Sequence, residues 1–436
     1  MEWDGVAHLF STARPVDFRA GSVQLARMKS RLSFTLLAAL ALSVPHTPAA
    51  DWPQWRGPNR NGISAETGIR TNWPAAGPEI LWRALVGTGF SSISISQGRV
   101  YTMGNTANRD TIWCFDATTG KPIWQHSYTS QLDPRYYEGG PGSTPTVDIR
   151  GGAEPARVYT IGKWGDVFCL DAAKGTVLWQ RDLRQDGIKP NEWGFAGSPL
   201  VYGELVILNA GDAGMALDRN TGRTVWSGGT NATGYSSPTL CKAGGQESLL
   251  MFAVKHFVAL EPKTGRELWR LTWETGYDIN APDPVLFGDR ILISTYSRGC
   301  ALLAVKDGKP VAVYENKSLN NHLSPGILLG EHLYAFNGEA KHTTDFRCFH
   351  LPSGELKWTR NNPAFGSLIL ADGKLIILSE KGELLLAEPS PAEFKPLARA
   401  QVLGGLCWVP PALANGRLYV RNAKGDLVCL GLRTKR

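Results

Sequence analysis

Between Glu274 and Pro284 the chain reads E-T-G-Y-D-I-N-A-P-D-P. Asp278, Asn280 and Asp283 place two carboxylates and an amide within a few positions, with Tyr277 beside them. Hard oxygen donors at such spacing are what Ca²⁺ takes. The same side chains also serve structure: Asp278 and Asn280 can cap a turn, and Asp283 can cap the start of a strand. Further segments put aromatic and polar groups ahead of short apolar runs: Arg135-Tyr136-Tyr137, Trp193, Tyr235, Asn320-Asn321-His322, Phe365 and Trp408. Aromatic rings beside Asn and His suit a peptide strand, a sugar or a flat cofactor. They also work as stacked plugs with no ligand at all. No G-x-S-x-G, H-E-x-x-H, C-x-x-C or P-loop pattern occurs, so no residue is given a catalytic role. His256, His322, His332, His342 and His350 are expected in different repeats or loops, so no metal site is expected from them.

The elements that must position these groups are repeats. An acidic or polar residue, Gly four positions on and Trp four positions further recur as Asp116-Gly120-Trp124, Asp171-Gly175-Trp179, Asp218-Gly222-Trp226, Glu261-Gly265-Trp269 and His350-Gly354-Trp358. Short β-branched and aromatic runs precede each phrase, such as R-V-Y-T-M-G and R-V-Y-T-I-G, which is a strand signal. The Asp side chain can accept backbone N–H groups, and Gly supplies the positive φ of a tight turn. Eight small-residue clusters, at Gly89, Gly142, Gly197, Tyr235, Ala281, Leu323, Phe365 and Val409, open a further strand at intervals of roughly 40–55 residues. The expectation is an all-β chain: an eight-bladed β-propeller of four-stranded antiparallel blades. The last unit ends without a Trp strand, whereas P-E-I-L-W-R-A-L-V carries Trp82 with no strand upstream. The N-terminal strand should therefore complete the last blade and close the ring. Tyr314 stands where a Trp is expected, and the seventh unit, near Phe394–Leu397, has lost its phrase.

The 436 residues carry 46 Lys and Arg against 39 Asp and Glu, for a net charge of +7. Met28-Lys29-Ser30-Arg31, the apolar Leu32–Val44 and Pro48-Ala49-Ala50 read as a signal peptide over residues 28–50, with residues 1–27 a misassigned start. The expected product is exported, periplasmic or secreted, with no transmembrane segment in the mature chain. Removing residues 1–50 leaves a net charge of +5, and no Arg/Lys cluster interleaved with aromatics suggests nucleic acid. Residues 51–78 form a Trp-rich segment before the propeller at 79–436; Trp52, Trp55 and Arg56 are expected to clamp the propeller or to lid a site. Of seven Cys, Cys114, Cys169, Cys348 and Cys429 occupy equivalent repeat positions, too far apart for disulfides, and read as small buried hydrophobes.

The D-A-T-T-G-K-P-I-W and D-A-A-K-G-T-V-L-W phrases resemble the pyrroloquinoline-quinone (PQQ) repeat propellers over nearly everything from Asp51 onward. That group includes quinoprotein alcohol dehydrogenases and non-catalytic outer-membrane assembly propellers. Asp51–Ser64, D-W-P-Q-W-R-G-P-N-R-N-G-I-S, is similar to the mature start of exported planctomycete and verrucomicrobial members, often named after polyvinyl-alcohol dehydrogenase. The resemblance implies that Trp82, Trp124, Trp179, Trp226, Trp269 and Trp358 are packing wedges between blades. In the enzymes it implies PQQ on the axis over a Trp floor, under a vicinal disulfide, beside Ca²⁺ and an Asp base. This chain has no Cys-Cys pair and no C-x-x-C-H for haem. The expected function is a monomeric, non-catalytic binding or assembly scaffold at the cell envelope, with an envelope protein, a peptide or a polysaccharide as partner and no cofactor. The alternative is a PQQ- and Ca²⁺-dependent oxidoreductase, with the quinone near Asp278, Asn280 and Trp408.

Overall fold

The computed structural model describes residues 51–433 apart from 136, 151–153 and 362. The signal peptide expected over 28–50 and the start before it lie outside the described residues, as does Tyr136. Among the described residues thirty-two strands form eight four-stranded antiparallel sheets. Seven blades are sequential: 94–129, 146–182, 200–227, 239–272, 285–316, 327–361 and 366–401. Blade 8 takes three strands from 412–431 and its outer strand, Glu79–Leu85, from the other end of the chain, with Trp82 opposite Cys429. Ring closure thus leaves no gap between first and last blades.

The repeated phrase builds the seams between blades. Asp116 Oδ1 accepts from the Thr118 and Thr119 amides at 3.0 and 2.8 Å, and Gly120 takes φ +69°. A Cβ on Gly120 would lie 2.5 Å from the Trp82 ring, so only glycine seats the indole of the preceding blade. Trp82 Nε1 donates to Ala117 O at 3.1 Å, and Tyr419 Oη donates to the same carbonyl at 3.2 Å. The arrangement recurs at Trp124 with Tyr101 on Ala172 O, and at Trp179 with Tyr159 on Arg219 O. Trp226 reaches Pro262 O and Trp358 reaches Ser390 O. Tyr314 replaces the indole by donating to Leu351 O at 2.6 Å. Trp269 wedges against blade 5 without a turn glycine to seat it. It packs into the core with Ile291 and Leu303, but the shortened turn of blade 5 leaves Gly308 with nothing within 4 Å. In each Trp pair the strand bulges beside a small residue, such as Cys114 opposite Trp124 or Cys169 opposite Trp179, where a large side chain would collide with the ring.

The inner strands are held by side chains. The Thr144 amide donates to Ser198 Oγ, the Ser198 amide to Ser237 Oγ, and the Ser237 amide to Asp283 Oδ1, at 2.9, 3.0 and 2.7 Å. These residues each precede a proline, so the small-residue clusters are inter-blade couplings as well as strand openings.

One seam holds a buried acid. Asp110 is fully buried, accepting from Asn105 Nδ2 at 2.6 Å and Tyr128 Oη at 3.3 Å, with Asp166 nearby. Burial pushes its carboxyl up to about 6. The folded state therefore holds this proton more tightly than the unfolded chain. The resulting stability is complete below pH ~4 and is lost as pH rises through ~6. We expect the urea midpoint of the wild type to fall between pH 5 and 7.5 by an amount equivalent to roughly 1–1.5 kcal/mol, and Asp110→Asn to flatten this dependence. An unchanged slope in the variant would assign the dependence to other groups.

Candidate functional site

The two ends of the central channel differ. At one end lie the Asp–Gly turns and the first hairpin turns of each blade, joined by bonds such as Ala117 N to Gly98 O. From this side residues 51–69 enter the channel. Trp52 pairs with Ile95 in blade 1, and Pro53 O accepts from Val147 N in blade 2. Arg60 donates to Pro199 O beside blade 3, Trp55 Nε1 to Asp283 Oδ2 at 2.6 Å, and Arg56 to Gly326 O at 2.6 Å. Gly62 and Ser64 bracket Leu370 of blade 7, and Glu66 Oε2 accepts from Gly416 N of blade 8 at 2.6 Å. The Trp52/Trp55/Arg56 segment is therefore an axial plug bonded to seven blades.

Asp283 is part of that plug. It is 7 % exposed and accepts from Trp55 and Ser237. Burial raises its carboxyl, and Arg56 and Arg60 oppose the rise; burial in turn lowers both guanidinium groups to about 10. The expected cation set is not assembled. Asn280 is fully buried and donates to Val254 O at 2.8 Å and Trp273 O at 3.2 Å, fixing the loop that leads to blade 5. Tyr277 and Asp278 sit in a short 3₁₀ turn at φ +61° and +56°. Tyr277 is 81 % exposed and stacks on no ring among the described residues. Proximity in sequence did not become convergence in space, because the backbone between 277 and 283 turns each donor toward a different neighbour. Among the described residues no group of three or more His, Cys, Asp and Glu comes together in a way that could hold a metal. His332 and His350 are cross-strand neighbours in one blade rather than in separate units, because adjacent strands pair them directly.

At the opposite end, the connections into the inner strands bring aromatics together from blade to blade. Trp408 stacks on Phe90 at 5.0 Å, and Phe90 meets Tyr137 at 5.6 Å. Tyr137 Oη donates to Trp193 O, Trp193 meets Tyr235 at 5.9 Å, and Tyr235 Oη accepts from Trp193 N. Across the mouth, Tyr296, His322 and Phe365 form a second arc at 5.4 and 6.5 Å. Burial lowers His322 to about 4, and its Nδ1 accepts from Ala340 N, so the ring is neutral at physiological pH. Charges punctuate the rings. Lys163 lies 5.1 Å from both Tyr137 and Trp164 and pairs with Asp133 at 3.0 Å. Lys341 lies 5.1 Å from Trp408, whose Nε1 donates to Glu380. A hollow of about 360 Å³ beside Trp408 is lined by Lys341, Glu380, Lys381, Gly405 and Leu406.

Sequence reasoning missed the residues that hold this mouth open. Arg421 and amides at strand ends bind loop carbonyls: Asn209 Nδ2 to Ser236 O and Asn422 Nδ2 to Gly404 O. Their signal was a polar residue closing an apolar strand run, as in L-V-I-L-N and R-L-Y-V-R-N.

An eight-bladed ring with Trp-wedged Asp–Gly turns defines a propeller of the PQQ-repeat class. The chain belongs to the family described as outer membrane protein assembly factor BamB, whose model matches residues 108–360, more than half of its length. A curated relative is the quinoprotein alcohol dehydrogenase PedH of Pseudomonas putida, 29 % identical over 163 residues. That match covers 34 % of this chain and 25 % of PedH. Among solved structures, BamB from Moraxella catarrhalis aligns with TM-score 0.57 at 15 % identity, over 81 % of this chain and 99 % of that one. Quinohemoprotein alcohol dehydrogenase from Comamonas testosteroni aligns with TM-score 0.63 at 14 % identity, over 89 % and 81 %. At these identities the two structures share the fold.

Proposed function

We propose that the protein is an exported, non-catalytic scaffold that grips a polypeptide segment of an envelope partner across its aromatic axial mouth. One observation carries this reading: loops from successive blades deliver Trp408, Phe90, Tyr137, Trp193 and Tyr235 to one end of the channel, while residues 51–69 shut the other. Rigid aromatic platforms with interspersed charge are what protein interfaces use as anchors. The description of the family as an assembly factor agrees with a binding role. Export rests on the signal-peptide pattern of residues 28–50.

The competing reading, a PQQ-dependent alcohol oxidoreductase, draws on the kinship with PedH. The donor set argues against a fit. Both Asp283 oxygens are engaged, with Trp55 and Ser237, Asn280 leaves only its Oδ1 without a hydrogen bond among the described residues, and the seven cysteines are unpaired thiols. Purified protein incubated with PQQ and Ca²⁺ should retain no quinone absorbance after desalting and show no dye-linked alcohol oxidation. Stoichiometric retention with turnover would overturn the scaffold reading. A photo-crosslinking amino acid in place of Phe90 should capture a protein partner in the native envelope, and Trp408→Ala should reduce the yield several-fold. Capture only from positions on the turn face would remove the mouth from the proposal.

A further inference from the structure

A second hollow lies away from the axis, between blades 6 and 7. It encloses about 310 Å³ and is floored by Phe336, Phe346, Ile377, Leu385 and Phe394. Its volume sits at the small end of ligand pockets, roughly 300–1,000 Å³, the scale of a single ring system. The cleft exists because blade 7 lacks the repeated turn. The strand-joining segment runs from Pro389 to Phe394 instead, and Phe394 leans edge-on against Phe346 and Trp358 at 5.8 and 6.0 Å. Pro363 and Ala364, just before the first strand of blade 7, line it as well.

The rim is cationic. Arg360 Cζ lies over the Phe394 ring, 4.4 Å from its centre, and Lys381 is exposed. Neither is paired with a carboxylate among the described residues, whereas Glu383, the acid on the rim, is held by Arg399 at 3.2 Å. A guanidinium stacked on a ring keeps its in-plane N–H groups available for a carboxylate. Lys381 also borders the axial hollow beside Trp408, so the two hollows meet at this residue.

We infer that the cleft between blades 6 and 7 is a second binding site, one that takes an aromatic side chain of the partner polypeptide with a carboxylate next to it. The apolar floor accepts the ring, while Arg360 and Lys381 take the acid. A segment leaving the axial mouth over Lys381 would reach it directly. The polypeptide nature of the occupant rests on the function proposed above; the chemistry of the cleft does not.

The probes are indole-3-propionate and its uncharged counterpart 3-indolepropanol, titrated against the intact mature protein by ligand-observed NMR. We expect saturable binding of the acid with a dissociation constant on the order of 1 mM. The alcohol should bind about three-fold more weakly, the size of one exposed ion pair. Ala364→Leu, which fills the rim, should abolish binding of both with an unchanged melting temperature, Arg360→Met should narrow the difference between them, and Arg360→Met with Lys381→Met should erase it. Absence of saturable binding, equal binding of the two probes, or wild-type binding in Ala364→Leu would overturn the inference. Loss of crosslinking at Phe90 with intact probe binding would instead refute only the scaffold reading.

Discussion

Arg421→Met is expected to lower the stability of the propeller by about 3–5 kcal/mol, read as a drop in denaturant midpoint. Arg421 is fully buried where blade 8 meets blade 1. One terminal nitrogen donates to Ser91 O, Thr102 Oγ1 and Met103 O at 3.0, 2.9 and 2.7 Å; the other donates to Gly87 O and Gly89 O at 3.1 and 3.0 Å. Burial lowers the guanidinium to about 9, with no carboxylate to offset it. Methionine replaces the volume but strands four carbonyls away from water, and an unmade buried hydrogen bond costs about 1–3 kcal/mol. The full sum is not expected, because the loop 86–93 can relax toward solvent. Arg421→Lys should rescue only part, since three donors on one nitrogen cannot span acceptors set around a planar fork. Because this loop joins Glu79–Leu85 to blade 1, protease cleavage within 86–93 should rise in parallel with the lost stability. A midpoint change below about 1 kcal/mol would mean that water replaces the guanidinium freely.

The second large effect is expected at Asp283. Asp283→Ala removes the acceptor of Trp55 Nε1 and Ser237 N and the nearby charge that offsets burial of the Arg56 and Arg60 guanidinium groups. Two buried donors left without an acceptor cost about 1–3 kcal/mol each, so a loss of about 2–5 kcal/mol is expected. The loss should appear locally first: the plug 51–69 should become protease-sensitive below the global denaturation midpoint. Trp55→Phe combined with Asp283→Ala should cost clearly less than the two single changes together, since both remove the same bond. Additive effects would show that Asp283 acts through Ser237 and the inner strands rather than through the plug. Asp283→Asn should fall between, because the amide still offers one acceptor but no charge.

Much of the scaffold was legible in the chain itself. The Asp–Gly–Trp phrase encodes a local turn, and its Trp reaches only to the next copy, so its meaning survives in sequence. Tyr314 could be matched to a missing Trp by position alone, and Trp82 to the unfinished eighth blade. The site was less legible. Asn280 and Asp283 looked like neighbours in a cation set, but residues three apart on an irregular backbone do not share a direction. Asp283 bonds Trp55 and feels the charge of Arg56 and Arg60, all more than 200 residues upstream. The mouth aromatics were visible as a class, since each precedes an inner strand. Which of them touch depended on loop paths set by Arg421 and the strand-end amides.

The amino-acid sequence by itself determined the number of blades, the residues that wedge them and the strand that closes the ring, because hydrophobic period and turn chemistry act over a few residues and are written at each repeat. Only the tertiary structure decided what the channel does at each end. Residues 51–69 turn inward and spend Asp283 on Trp55, while the aromatic loops gather at the far mouth. Both outcomes depend on side chains meeting across the axis, where contact is set by ring geometry and burial and leaves no periodic trace in the chain.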